Sequence, residues 1–188
     1  SATPENQEIA RAALTFLPPL QWPAADYVPE PRPVKTDMDV CMYYFPGWAS
    51  EASWDCIRRT APIRKPLLGY YDESRADVVD WQIKWAAENG VKCYLVDWYW
   101  VKGNQHYTHW FEAYRKAKYR DLLHVAIMWA NHNPPNSHSM EDWRNVNREW
   151  IDHYFNLPSY YRINGKPALF FWAPENLRND LGGSEGAK

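Results

Sequence analysis

Aromatic side chains and polar groups recur together at four points of the chain, each directly after an apolar run. Sugar rings present apolar C–H faces that lie flat on an indole, while their hydroxyl groups need directed hydrogen-bond partners. Tryptophan beside aspartate, asparagine or histidine therefore predicts a carbohydrate-binding groove, with a packing role at the end of the fold as the alternative. The tryptophans at these points are Trp48, Trp98, Trp100, Trp129 and Trp172.

Two carboxyl groups near these tryptophans are the candidates for acid–base chemistry, although the sequence leaves the catalytic residues unknown. Cleavage of a glycosidic bond generally uses two carboxyl groups about 5 to 9.5 Å apart. Asp97 is interpreted either as a substrate-hydroxyl ligand or supporting carboxylate, or as a helix cap or loop ion-pair partner. The structural role is favoured for Glu175, and we expect Asp72 and Glu73 to be solvated or to cap a helix.

A short polar cluster, Asn131, His132 and Asn133, directly follows the third apolar run. Amide groups pair with sugar hydroxyls, and an imidazole donates a hydrogen bond or titrates near neutral pH. The cluster is therefore a second candidate for sugar binding, with a turn stabilised by asparagine side chains as the equal alternative. The histidine spacings match no standard metal site, so no metal is predicted.

Four apolar runs predict the strands that must position these residues. They cover residues 40–45, 93–96, 125–128 and 168–171. Near-continuous apolar runs are typical of strands that are buried on both faces. The runs therefore predict a parallel sheet.

Amphipathic segments between the runs predict helices over residues 74–90, 109–123 and 139–154. Ser74 and Ser139 each stand three residues before an aspartate, which is typical of a helix start. The alternation of strands and helices predicts the α/β class. Four tryptophans at helical spacing are expected in the core: Trp81, Trp85, Trp143 and Trp150.

Aromatic and amide residues stand where a (β/α)8 barrel keeps its active site, at the carboxyl ends of the strands. No glycine-rich phosphate loop follows any run, which counts against a nucleotide-binding fold. Residues 39–188 hold about four strand–helix units, so we expect the amino-terminal half of a TIM-type (β/α)8 barrel. Residues 1–38 are expected to form a helix beginning at Thr3 and then a proline-rich strap or linker.

The composition excludes several classes of protein. The 188 residues carry a net charge of -2 without a long run of either sign, so no nucleic-acid partner is expected. No apolar run approaches the roughly 20 residues of a membrane-spanning helix. Cys41, Cys56 and Cys93 have no metal-type spacing and cannot all pair. Cys41 and Cys93 lie within apolar runs and are interpreted as small buried hydrophobic residues.

Five segments together resemble glycoside hydrolase family 99 and the related 99-like proteins. Residues 43–48, with the sequence YYFPGW, resemble the first-strand motif of that family, and residues 96–100 resemble the end of its second strand. Residues 129–133, 152–155 and 161–167 are similar to the 99-like branch. The likeness depends on the order and spacing of these segments together.

The resemblance implies a (β/α)8 barrel that hydrolyses glycosidic bonds of α-mannan-like or related polysaccharides, usually endo-acting and with retention. It also implies that Tyr43 and Tyr44 belong to the substrate-binding residues. The catalytic carboxylate pair of the family lies in the second half of the barrel, which we expect outside this sequence. The chain has His132 where the 99-like branch typically has glutamate.

We therefore predict a glycoside-hydrolase-like domain in which this segment supplies substrate-binding aromatic and amide groups. Two alternatives stay open: a non-catalytic carbohydrate-binding module and a glycosyltransferase of polysaccharide biosynthesis. We expect a carbohydrate substrate and the remaining barrel half as partners, and no cofactor. The resemblance favours a secreted, periplasmic or cell-surface location. On the sequence alone, Trp98→Ala is expected to weaken glycan binding and to leave the fold intact.

Overall fold

A parallel sheet forms the centre of the structure, a computed structural model that describes residues 27–101, 103–132, 138–183 and 185. The strands are β1 (Val40–Tyr44), β2 (Val91–Val101), β3 (Asn104–His106), β4 (His124–Trp129), β5 (Arg162–Ile163), β6 (Lys166–Pro167) and β7 (Leu169–Phe171). The order in the parallel sheet is β1-β2-β4-β7, and each neighbouring pair is parallel. Two short antiparallel pairings accompany it, β2 with β3 and β5 with β6.

Helices connect or follow the parallel strands, as expected for half of a (β/α)8 barrel, and the predicted fold class is confirmed. No helix in the described part of the chain combines the length and the apolar character that a membrane span requires. The helices are α1 (Asp55–Thr60), α2 (Ala76–Glu88), α3 (His109–Lys116), α4 (Met140–His153) and α5 (Pro174–Asp180).

The two predicted helix starts have different outcomes. Ser139 caps α4, because its hydroxyl accepts a 3.0 Å hydrogen bond from the backbone N–H of Asp142. The prediction for Ser74 is wrong: α2 is preceded by Arg75, which makes no side-chain cap. Arg75 instead pairs with Asp77 at 2.7 Å, so the acidic group needed for reciprocal capping is already engaged.

Helix α3 ends at Lys116, well before the predicted end at residue 123. The reason is the carboxylate of Asp80, which is buried on α2. It accepts hydrogen bonds from the backbone N–H groups of Lys118 and Tyr119, at 2.9 and 2.8 Å. These donors are therefore turned towards α2 and cannot continue the hydrogen-bond pattern of a helix.

Strand β2 extends five residues beyond the predicted run, because its last three residues pair with β3. The segment expected to be a loop after the strand is thus part of it, and its side chains alternate between two faces. Trp98 and Trp100 stack on each other, and Trp98 packs edge-to-face on Trp150 of α4 at 5.3 Å. We call this side of the sheet the helix face, and the opposite side, to which Asp97 and Tyr99 belong, the open face.

Indole rings fill the core on the helix face. Trp98, Trp129 and Trp150 are buried and lie mutually edge-to-face, with ring centroids 5.3 to 6.2 Å apart. Among the described residues none of the three indole N–H groups has a hydrogen-bond acceptor. The edge-to-face arrangement directs indole edges at neighbouring ring faces, which is the geometry of weak N–H···π contacts.

The core prediction for tryptophans at helical spacing is correct for Trp150 and too strong for the others. Trp81, Trp85 and Trp143 are half-buried. Trp81 and Trp143 pack against the margin of the core, and Trp85 packs on Trp81 with ring centroids 5.5 Å apart.

Residues 27–36 lie along α2. Val28 is buried in the core, and its carbonyl accepts a hydrogen bond from the hydroxyl of Tyr119. The backbone N–H of Val34 donates to the carbonyl of Ala87 at 2.9 Å, and Tyr27 donates to Asp80. The helix predicted to begin at Thr3 lies outside the described residues, and the division of the chain at residue 38 stays a prediction.

Candidate functional site

Five side chains on or after four strands meet at the carboxyl-terminal end of the parallel sheet, and we call them the mouth cluster. They are Phe45 after β1, Asp97 and Tyr99 on β2, Tyr107 after β3 and His132 after β4. The ring of Tyr99 lies at the centre, 6.2, 5.1 and 6.0 Å from the rings of Phe45, Tyr107 and His132. The cluster therefore combines a carboxylate and an imidazole with aromatic faces.

Electrostatics set the roles of Asp97 and Tyr99. Burial raises the pKa of Asp97, while the hydrogen bond from Tyr99 and the nearby His132 act in the opposite direction. Burial and the charge of Asp97 raise the pKa of Tyr99 to about 12. Tyr99 is thus a hydrogen-bond donor at neutral pH, and its hydroxyl lies 3.5 Å from Asp97 Oδ2. A carboxyl group with a raised pKa is also a better proton acceptor than an exposed one.

The backbone around the mouth cluster explains how these residues meet. The hairpin of β2 and β3 returns the chain over the end of the sheet and places Tyr107 beside Tyr99. Tyr107 has a φ of 58°, in the left-handed region that a bulky residue rarely occupies. Its ring contacts Phe45 and His109, at 5.8 and 6.4 Å. A strained residue held by packing is common at functional sites.

Glu73 is a buried carboxylate behind the mouth cluster, and the expectation that it is solvated or capping is wrong. Its side chain is 1% exposed. It accepts hydrogen bonds from the hydroxyl of Tyr44 and, at 2.8 Å, from the backbone N–H of Trp48. His109 Nε2 lies 3.8 Å from Glu73 Oε2 and has no hydrogen-bond partner among the described residues. No sequence motif marks Glu73, because its partners are 25 or more residues away.

The tyrosine pair that the resemblance assigns to substrate binding is divided between the two faces of β1. Tyr44 stacks on Tyr94 of the helix face, and its hydroxyl accepts a hydrogen bond from Gln82. Burial raises the pKa of Tyr44 well above its usual value. Tyr43 is 68% exposed and, by alternation, belongs to the open face. Only Tyr43 is therefore placed to meet a ligand.

Trp98 and Trp129 are corrected from groove residues to core residues, and Trp100 to a half-buried residue of the helix face. Trp98 and Trp129 are each 1% exposed, and Trp100 is stacked on Trp98. For Trp98 and Trp100 the error follows from the length of β2, since residues taken to lie beyond the strand belong to its helix face. The sequence prediction likewise places Trp129 after its strand, whereas it is the last residue of β4.

The polar cluster after β4 is also divided. Asn131 is buried, and its amide both donates to and accepts from the backbone of Ala173, at 2.7 and 2.8 Å. It therefore joins the end of β4 to the start of α5 and is not available to a sugar. His132 is exposed and belongs to the mouth cluster, and Asn133 lies outside the described residues.

The remaining candidates lie around the mouth. Trp172, directly after β7, is 63% exposed. Trp48 stacks on Trp54 at 3.6 Å in the segment after β1. Glu175 is exposed in the first turn of α5, where a carboxylate is favoured by the helix dipole, so its geometry fits the structural role. Within the described ranges no group of three histidine, cysteine or acidic residues converges as a metal site.

Comparison with protein families gives one match. The family described as "Glycosyltransferase WbsX" matches residues 60–181, more than half of the chain. This segment contains most of the mouth cluster, from Asp97 to His132. No curated protein matches the chain.

Solved structures of a family 99 endo-α-mannosidase from Bacteroides thetaiotaomicron are similar in fold. A complex with BIS-TRIS propane shares 23% sequence identity, with a TM-score of 0.51 over 74% of this chain. A second structure shares 20% identity, with a TM-score of 0.53 over 74% of this chain. The chain covers 44% and 47% of those two chains, which is less than half of their length. The resemblance noted in the sequence is confirmed.

Proposed function

The chain belongs to the WbsX glycosyltransferase family, and on that premise we propose that its mouth cluster binds a glycan as part of a hydrolase-type barrel. The observation that carries the proposal is the half-buried, hydrogen-bonded Asp97 on the open face, with exposed His132 beside it. The helix face differs from the open face, because its aromatic rings are enclosed by other rings.

The chemistry of the mouth cluster fits a sugar. Asp97 accepts hydrogen bonds from sugar hydroxyls, and Tyr99 donates one. Phe45, Tyr107 and Trp172 offer exposed ring faces on which the apolar side of a sugar ring stacks. We propose an α-mannan-like glycan as the substrate class, supported by the fold shared with endo-α-mannosidases and by the sequence resemblance.

Hydrolysis needs a second carboxyl group near the scissile bond. In the described part of the mouth cluster Asp97 is the one carboxylate, and Glu73 behind it is engaged by Tyr44 and Trp48. We propose that this chain binds and orients the glycan, and that the acid–base pair belongs to the other half of the barrel. The barrel fold of the longer mannosidases supports this division.

The family description favours a second candidate function, transfer of a sugar during polysaccharide synthesis. A transferase with a nucleotide-sugar donor would bind a diphosphate, commonly at backbone N–H groups of a glycine-rich turn or helix start. The two functions therefore differ in the ligand that stabilises the folded protein.

The test is a binding titration of the purified protein with an α-mannan oligosaccharide and, separately, with GDP-mannose. We expect the oligosaccharide to bind and Asp97→Asn to weaken it about tenfold or more, as for loss of a hydrogen bond to a charged group. Asp121→Asn is the matched control, because this aspartate is 79% exposed in a distant turn. Equal affinities of the wild type and Asp97→Asn would contradict the proposal, and stabilisation by GDP-mannose alone would favour the transferase.

A further inference from the structure

Two cysteines face each other across neighbouring strands at the end of the sheet opposite the mouth cluster. Cys41 on β1 and Cys93 on β2 are direct partners in the parallel ladder. Paired strands lie about 4.7 to 4.9 Å apart. This spacing falls within the range of about 4.4 to 6.8 Å that disulfides span between Cα atoms.

The side chains of both cysteines point to the same face. Tyr44 and Tyr94 belong to the helix face, where they stack on each other. Alternation along each strand then places Cys41 and Cys93 together on the open face. The ladder register also shifts between Val40 and Cys41, directly before the paired cysteines.

We propose that Cys41 and Cys93 form a dithiol site that a low-molecular-weight disulfide oxidises to a covalent link between β1 and β2. Cys41 is half-buried on an edge strand and accessible to the oxidant, whereas Cys93 is fully buried. Cys41 is therefore the attacking thiol and Cys93 the resolving thiol. The interpretation of both as merely small buried hydrophobic residues is incomplete.

The reaction balances in two exchange steps. The Cys41 thiolate attacks one sulfur of the small disulfide, forms a mixed disulfide and releases one thiol. Cys93 then attacks the Cys41 sulfur of the mixed disulfide and releases the second thiol. The protein loses two electrons and two protons, and the small disulfide gains them.

The surroundings of Cys93 indicate what kind of disulfide results. Burial and the adjacent Cys41 thiol raise the pKa of Cys93, and the charge of Asp39 acts in the same direction. A thiol with a raised pKa is a slow nucleophile and a poor leaving group, so closure and reopening are both slow near neutral pH. The link is thus a lasting clamp on the edge strand β1 and not a rapidly cycling redox centre.

The test is a disulfide map of the purified protein after incubation with oxidised glutathione and alkylation of the remaining thiols. We expect peptides containing Cys41 and Cys93 to be linked, with the loss of two hydrogen atoms. Cys56 is exposed on α1 and serves as the internal control, since it is expected to carry glutathione or the alkyl group. Because closure by Cys93 is slow, the map is taken after incubation has been prolonged until the products no longer change. Alkylation of both Cys41 and Cys93, or glutathione still retained on Cys41 of the wild type at that end point, would overturn the proposal.

Two variants separate the roles of the thiols. Cys93→Ser should trap glutathione on Cys41, and Cys41→Ser should leave Cys93 unmodified until the protein is unfolded. Oxidation should raise the Tm of the wild type and of Cys56→Ser by several degrees and leave that of Cys93→Ser unchanged. If a variant does not fold, the map of the wild type decides alone.

Discussion

The two faces of β2 use the same kind of residue for opposite purposes. On the helix face Trp98 is enclosed by Trp129 and Trp150, and all three indole rings are buried. On the open face Tyr99 is surrounded by rings as well, but a carboxylate and an exposed imidazole lie within the same group. An aromatic ring alone therefore does not indicate a binding site, whereas rings grouped with both a half-buried carboxylate and an exposed imidazole do.

The largest expected effect follows from truncating the helix face. Trp98→Ala should lower the free energy of unfolding by about 3 to 5 kcal/mol, because the cavity is closed in by other large rings. This reverses the expectation from the sequence that the variant leaves the fold intact. Denaturant unfolding measures the loss. A change below about 1 kcal/mol would contradict the assignment of Trp98 to the core of the helix face.

The open face should show the complementary behaviour. Asp97→Asn should weaken oligosaccharide binding about 10- to 100-fold, because hydrogen bonds to a charged acceptor are lost. Its stability should be equal to or above that of the wild type, since burial disfavours the charged carboxylate. Calorimetric titration and unfolding of the same sample measure both quantities, and a destabilised Asp97→Asn would contradict this account of its environment.

A smaller effect is expected at Trp172, which is 63% exposed at the mouth. Trp172→Ala should weaken oligosaccharide binding about 2- to 10-fold through the lost stacking surface. The free energy of unfolding should change by no more than about 0.5 kcal/mol. Trp98→Ala and Trp172→Ala thus form a matched pair. Similar losses in the free energy of unfolding for both variants would contradict the assignment of Trp98 to the core and of Trp172 to the exposed mouth.

The smallest effect is a pH dependence of stability. The folded state raises the pKa of Asp97, so it holds that proton more tightly than the unfolded chain does. The wild type should therefore lose stability relative to Asp97→Asn as the pH rises through that pKa, and the two should converge below the unfolded value. Their Tm difference at neutral and acidic pH measures this, and a difference that grows towards acidic pH would have the wrong sign.

Local patterns predicted the elements well, and long-range contacts explain the errors. The apolar runs located the parallel strands, although β4 is buried along nearly its whole length and β1 is largely exposed. The Ser139 cap was also predictable, because it depends on a group three residues away. The early end of α3 depends on Asp80, which lies 38 residues before Lys118. The length of β2 depends on β3, whose three residues carry no strong apolar signal.

The candidate site shows the same limit. The sequence predicted that Asp97 and His132 belong to the site, because both follow apolar runs. It placed Trp98 in the binding groove, whereas Trp98 lies on the helix face. The direction of this side chain depends on how far β2 extends. It missed the role of Glu73, because the partners Tyr44 and Trp48 belong to β1 and to the segment after β1, far from Glu73 in the sequence.

Asp80 has a consequence for how the molecule opens. Its single carboxylate accepts hydrogen bonds from Tyr27, Lys118 and Tyr119, which belong to two segments far apart in the chain. Release of either segment leaves a buried negative charge with fewer donors, which disfavours keeping the other in place. Residues 27–36 and the turn after α3 therefore act as one cooperative unit, and their backbone amides should exchange with solvent through a shared opening event.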